Sequence, residues 1–150
     1  MTSNPEPVQP QPPTLDRFPL QTHEKLRYAD TDRQGHVNNA VFATMLETGR
    51  VELLYNPERP LAEPGCSFVI ARLVLDFQAE IKWPGRVDIG TRIAAVGRSS
   101  TTLEQALFQD GSCVATATTV IVNVNAAGRG QPFSDAALDV LRSYRADGSN

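Results

Sequence analysis

Between Arg27 and Arg50 the chain reads R-Y-A-D-T-D-R-Q-G-H-V-N-N-A-V-F-A-T-M-L-E-T-G-R. Two carboxylates, Asp30 and Asp32, share a short polar loop with Gly35, and the loop feeds directly into a long apolar-periodic segment. A helix starting at Asn38 or Asn39 leaves its first-turn N–H groups without intrahelical partners, at the positive end of the helix dipole. A carbonyl oxygen resting on such an N–H is polarised, and the oxyanion formed on attack is stabilised there. A carboxylate nearby can attack the carbonyl carbon itself or activate a water that does. A thioester suits this pairing, because a thiolate leaves with less acid help than an amine.

Other chemistry fits the loop less well. D-T-D-R-Q-G resembles the opening of a calcium loop, but its twelfth position is Val41, where a bidentate Glu is required. The two histidines, His23 and His36, form no H-x-x-x-H pair, so zinc has no ligand set and no metal is expected. No G-x-S-x-G elbow supports a serine triad. Read singly, Asp30, Gly35, His36 and Asn38 also serve as turn formers and caps.

The flanking elements must hold this loop in place. Thr22 to Tyr28 alternates, with Leu26 and Tyr28 on one side, and predicts a first strand. The helix is predicted to run from the loop to about Tyr55, ahead of Pro57, burying Val41, Phe42, Met45, Leu46, Leu53 and Leu54. Seven alternate apolar positions from Val69 to Ile81 predict a long strand with one buried face, turned at Pro84-Gly85. Val87 to Ala95 marks the next strand, which ends at Gly97, and Thr101 to Gln109 another, closed by the Asp110-Gly111 hairpin signal. Cys113 to Val124 is a β-branched final strand, with Val114, Thr116, Thr118, Val120, Val122 and Val124 on one face. Ser134 caps a short terminal helix containing Leu138, Leu141 and Tyr144. The order is strand, long helix, four meander strands. A lone helix buries its stripe best against an antiparallel sheet curled around it, giving an α+β fold. Two such sheets pairing edge to edge would remove an exposed edge, so a homodimer is expected.

Composition bounds the rest. A chain of 150 residues with 41% hydrophobic and 21% charged residues is read as one domain with a sizeable core. Residues 1–19 hold six of the eleven prolines and read as a disordered tail, with the domain spanning 20–150. A net charge of −3 without a basic run gives nucleic-acid binding no electrostatic support. No apolar run approaches the length of a membrane span, and without a basic start followed by an apolar stretch residues 1–19 are not expected to act as a signal peptide. Cys66 and Cys113 read as reduced core thiols of a cytoplasmic protein.

The segment from about Gln21 to Leu141 resembles the hotdog-fold acyl-CoA thioesterases of the 4-hydroxybenzoyl-CoA thioesterase-like family. Y-A-D-T-D-R-Q-G-H-V-N-N-A-V-F and M-L-E-T-G-R carry the resemblance, with F-V-I-A-R-L-V-L-D-F, G-R-S-S-T-T and V-I-V-N-V-N-A-A-G-R-G-Q-P-F agreeing in pattern. It implies a five-stranded antiparallel sheet wrapped around one long central helix. It implies hydrolysis of an acyl-CoA to free acid and CoA without a cofactor, CoA being part of the substrate. The family's catalytic acid falls on Asp32 and its carbonyl-binding N–H on Asn39. Its CoA contacts fall on Arg98, Ser99 and Ser100, with Arg86 and Arg129 as other arginines suited to phosphate. Glu47 matches a common helix acid. The family's active site lies at a dimer interface, and tetramers made of two dimers occur. Two rival functions are a hotdog hydratase or dehydratase, which pairs an Asp with a His in a D-x-N-P-x-H setting absent here, and a non-catalytic module that binds acyl thioesters.

Overall fold

A computed structural model describes residues 11–145. Five strands form one antiparallel sheet: β1 (Leu20–Lys25), β2 (Ser67–Phe77), β3 (Arg86–Val96), β4 (Ser100–Gln109) and β5 (Ser112–Val124). Their spatial order is β1-β3-β4-β5-β2, so β1 and β2 are the edges. The long helix α1 (Asn39–Leu54) lies on one face, and a short helix α2 (Asp135–Ser143) follows β5. The expected α+β architecture is thus observed.

Helix α1 starts where Asn38, in extended backbone, accepts the Ala40 N–H on its side-chain oxygen at 2.9 Å. Phe42, Met45 and Leu46 pack against Ile89, Leu107, Ala115 and Ala117, while Leu53 and Leu54 join Ile93, Leu103, Ile121 and Leu141 further along. Gly49 lets the helix approach the sheet closely. A Cβ there would sit 2.7 to 2.9 Å from Gln105, Thr91 and Ile89. Beneath this contact lies a polar cluster: the Gln105 amide donates to the Leu46 carbonyl and to the Thr91 hydroxyl, both at 2.9 Å. Arg50, only 5% exposed, donates to the Gln105 oxygen at 3.4 Å. Burial lowers the Arg50 pKa, opposed by Glu47. Ser134 caps α2 as expected, accepting the Ala137 N–H at 3.1 Å.

Three expectations are corrected. The first strand is Leu20–Lys25, not Thr22 to Tyr28, because the Asp30 carboxylate captures the Arg27 N–H at 2.8 Å and folds Tyr28–Asp30 into a 3-10 turn. Tyr28 is left 75% exposed, against Trp83. The long alternating strand ends at Phe77, where the N–H groups of Gln78 and Ala79 both turn to the Val114 carbonyl. A bulge between Ile70 and Arg72 breaks its alternation, and Val69, Ile70, Leu73, Val74 and Phe77 are all exposed, since none of the described residues covers this edge. In β5, Ala115, Ala117, Thr119 and Ile121 are buried, and on the alternate positions Val114 and Val124 are buried too while Thr118 is exposed. Of the expected tail, residues 1–10 lie outside the described residues. Leu15–Arg17 forms a 3-10 turn instead, and Phe18, 3% exposed, packs edge-on against Phe108 over Gly90. Packing therefore begins before residue 20.

Candidate active site

The loop before α1 is built by its backbone. Asp30 is buried, accepting the Arg27 N–H on Oδ2 and the Arg27 guanidinium on Oδ1, each at 2.8 Å. Burial alone would raise the Asp30 pKa, but these two donors outweigh it and hold the carboxyl below its ordinary value. The Asp30 carbonyl accepts the Asn38 N–H at 2.9 Å, which fixes where the helix begins. Asp30 is thus structural.

Asp32 is differently placed. Its N–H donates to the His36 carbonyl at 2.7 Å, and its own carbonyl accepts the Gly35 N–H at 3.0 Å, with Gly35 at φ +80°. Oδ1 accepts the Gln34 N–H at 2.8 Å, and the His36 N–H lies 3.4 Å away. Among the described residues no group donates to Oδ2. The carboxylate is therefore exposed yet held by an Asx-type turn, which suits a group that must react from a fixed position.

Asp32 and Asn39 line one cleft of about 340 Å³ with Phe42, Phe77 and Glu80. Asn39 is the first residue of α1, and its N–H has no protein partner among the described residues. The cleft thus brings an acid and an unpaired helix N–H together, with Phe42 and Phe77 on its apolar side and Gln78 and Glu80 on its polar side. His36 also lines it, with Nε2 at 3.0 Å from Glu80 Oε2. A larger hollow of about 450 Å³, beside Phe18, holds none of these residues. Among the described residues no three His, Cys, Asp or Glu side chains converge as metal ligands.

Arg98, Ser99 and Ser100 lie elsewhere. They form the β3–β4 turn, whose backbone is fixed by bonds from the Phe133 N–H to the Arg98 carbonyl and from the Asn123 N–H to the Ser99 carbonyl. Ser100 pairs with Val122, which pairs with Val69 near the start of β2. Phe77, in the Asp32 cleft, is eight residues further along that strand, or about 26 Å. Within one chain the two expected groups do not meet. Arg86 pairs with Asp88 at 3.1 Å, Arg129 is exposed on its turn, and Glu47 is exposed on α1. Glu80, which the expected alternation from Val69 to Ile81 leaves on the polar face of a strand, is not among the expected site residues. The signal available was the end of the alternating run, where residues cease to be confined to one face.

Five antiparallel strands around a single long helix, with the helix start open to a cleft, define the hotdog class. The chain belongs to the thioesterase-like superfamily, whose family model matches residues 26–141, and it is a thioester hydrolase. It is similar in structure to the PA5185 protein of Pseudomonas aeruginosa strain PAO1, with a TM-score of 0.80 and 24% identity over 91% of this chain and 99% of that one. A thioesterase from Thermus thermophilus, complexed with coenzyme A and Zn, gives 0.75 and 29% over 90% and 98%. A Bacillus stearothermophilus protein described as a predicted thioesterase gives 0.73 and 27% over 83% and 95%. No curated protein matches the chain.

Proposed function

We propose that this chain hydrolyses an acyl-CoA to the free acid and CoA. The observation that carries the proposal is the shared cleft of Asp32 and the Asn39 N–H. The thioester carbonyl oxygen rests on the Asn39 N–H at the helix start, which stabilises the charge that develops on it. Asp32 then acts in one of two ways. As a general base it takes a proton from water, and the water oxygen attacks the carbonyl carbon. As a nucleophile it forms an anhydride that water later opens. In both routes the C–S bond breaks and CoA leaves as its thiolate, which takes up a proton. The reaction uses no cofactor beyond the CoA of the substrate, and we place the protein in the cytoplasm.

The working unit is a homodimer. The uncovered β2 edge carries five exposed apolar residues, a surface suited to a second copy. Antiparallel pairing of β2 with itself would bring the Ser67 end of one copy to the Phe77 end of the other. The Arg98–Ser100 turn of the second copy then approaches the Asp32 cleft, where its guanidinium and hydroxyl groups suit CoA phosphates. The thioesterase complexed with coenzyme A supports the same substrate class.

The test is free-thiol release from short, long and aromatic acyl-CoAs by wild type and Asp32→Ala. Wild type is expected to release CoA from at least one, and the variant to lose about 100-fold or more in kcat. Equal release by both, or none by either, ends this reading. Hydration of crotonyl-CoA without thiol release would instead identify a hydratase.

A further inference from the structure

Two side-chain contacts cross the cleft: Phe42 packs edge-on against Phe77 at its apolar end, and a polar pair spans its other end. His36 reaches across to Glu80, Nε2 to Oε2 at 3.0 Å. His36 belongs to the Asp32 turn, and its backbone holds Asp32 at two points, the carbonyl at 2.7 Å and the N–H at 3.4 Å. Glu80 belongs to the opposite wall, which is pinned to the sheet. Gln78 and Ala79 donate to the Val114 carbonyl at 2.8 and 3.1 Å. Backbone also joins the two walls next to the latch: the carbonyl of buried Ile81 accepts the Val37 N–H at 3.0 Å, and His36 forms an antiparallel bridge with Lys82. The turn itself is exposed from Asp32 to Gly35, with open space around Gly35. Among the described residues, His36 to Glu80 is the one side-chain bond from residues 31–37 to any segment beyond the turn and its flanking 3-10 turn.

We propose that His36 and Glu80 form a latch that positions Asp32 for thioester hydrolysis. Glu80 orients the imidazole, the imidazole adds a side-chain restraint to the backbone bridge of His36 with Lys82, and the His36 backbone fixes the Asp32 carboxylate. Both are positioning residues, and neither needs to touch substrate. The proposal rests on Asp32 being the reactive acid. Nε2–H donates to Glu80 whether the ring is neutral or protonated, so the latch holds as a hydrogen bond or as an ion pair. With the two side chains 33% and 59% exposed, the pair adds little to global stability. Misplacing a reacting group by about 1 Å, in contrast, can cost on the order of 100-fold in rate.

Glu80→Ala, His36→Ala, their double variant and Glu80→Gln test it through two readouts. One is kcat and KM for CoA release, and the other is amide hydrogen exchange over residues 32–37, which needs no turnover. Each alanine variant is expected to lower kcat about tenfold with KM and Tm unchanged, and to speed exchange in the turn. The double variant should be no worse than either single one, because both remove the same contact. Glu80→Gln, whose amide oxygen still accepts from Nε2–H, should stay within about twofold of wild type. Wild-type kcat in Glu80→Ala, additive losses in the double variant, glutamine as damaging as alanine, or unchanged exchange would each overturn the latch. A wild type that releases no CoA would sink the reading of Asp32 instead, while exchange would still show whether the latch holds the turn.

Discussion

Asp30 and Asp32 are the same residue type two positions apart, and their backbones give them opposite fates. Asp30 is turned inward onto the Arg27 N–H and guanidinium, while Asp32 faces the cleft with Oδ2 open. The composition of the loop made both visible as carboxylates beside a helix start. The proposed reactive role of Asp32 rests on the resemblance and on its open Oδ2, because the local turn that separates the two carboxylates is not specified by spacing alone. The inward role of Asp30 has a measurable consequence. Its folded-state pKa is depressed, so as pH falls the unfolded chain takes up this proton first. The stability contributed by Asp30 is therefore fully present at neutral pH and lost as pH falls from about 4 through the lower folded value. Asp30→Asn should cost about 1–3 kcal/mol at pH 7, and the gap to wild type should close at strongly acid pH in denaturant titrations. A gap that stays constant down to about pH 2 would show that the carboxylate charge is not what matters.

At the scale of elements, helix α1 was legible from its apolar periodicity and its Asn cap, and the hairpin strands from alternation and turn residues. What alternation could not show was which side of a strand meets the helix. Nor did the helix pattern reveal that Arg50 is buried, since an arginine on an apolar face reads as an interruption of it. Gly49 is where element and packing meet. In an isolated helix Gly49→Ala would gain about 1 kcal/mol from propensity. Here the added Cβ falls within 2.9 Å of three buried side chains, two of them hydrogen-bonded to each other. Overpacking of this kind costs about 1–3 kcal/mol, so the packing term wins. A lower Tm in Gly49→Ala is expected, with each kcal/mol worth about 2–4 °C, and a raised Tm would mean that α1 can lift off the sheet at no cost.

For the whole molecule, the exposed apolar edge at β2 and the span of about 26 Å between the Asp32 cleft and the Arg98–Ser100 turn point to the same conclusion. In the proposed dimer one chain supplies the acid and the helix start, and the second brings the arginine turn beside them. An unpaired edge makes a dimer an expectation from sequence, but sequence does not say which edge is open, because strand order is a property of the folded sheet. Leu73→Lys places a charge at the middle of this edge. It is expected to give a monomer by light scattering, with unchanged far-UV circular dichroism and a loss of thioesterase activity. A monomer that keeps wild-type kcat would show that one chain suffices.

The central claim is that the start of α1 acts through its backbone, so substitution at Asn39 should matter only when the N–H is removed. Proline does this with little disturbance, because the first helical position tolerates it and Asn38 already has the extended backbone that precedes a proline (φ −61°, ψ 140°). The measurement is kcat for CoA release by Asn39→Pro beside Asn39→Ala. The account predicts near wild-type turnover for alanine and a loss of about 100-fold or more for proline at unchanged Tm. Equal turnover by the two folded variants would contradict it.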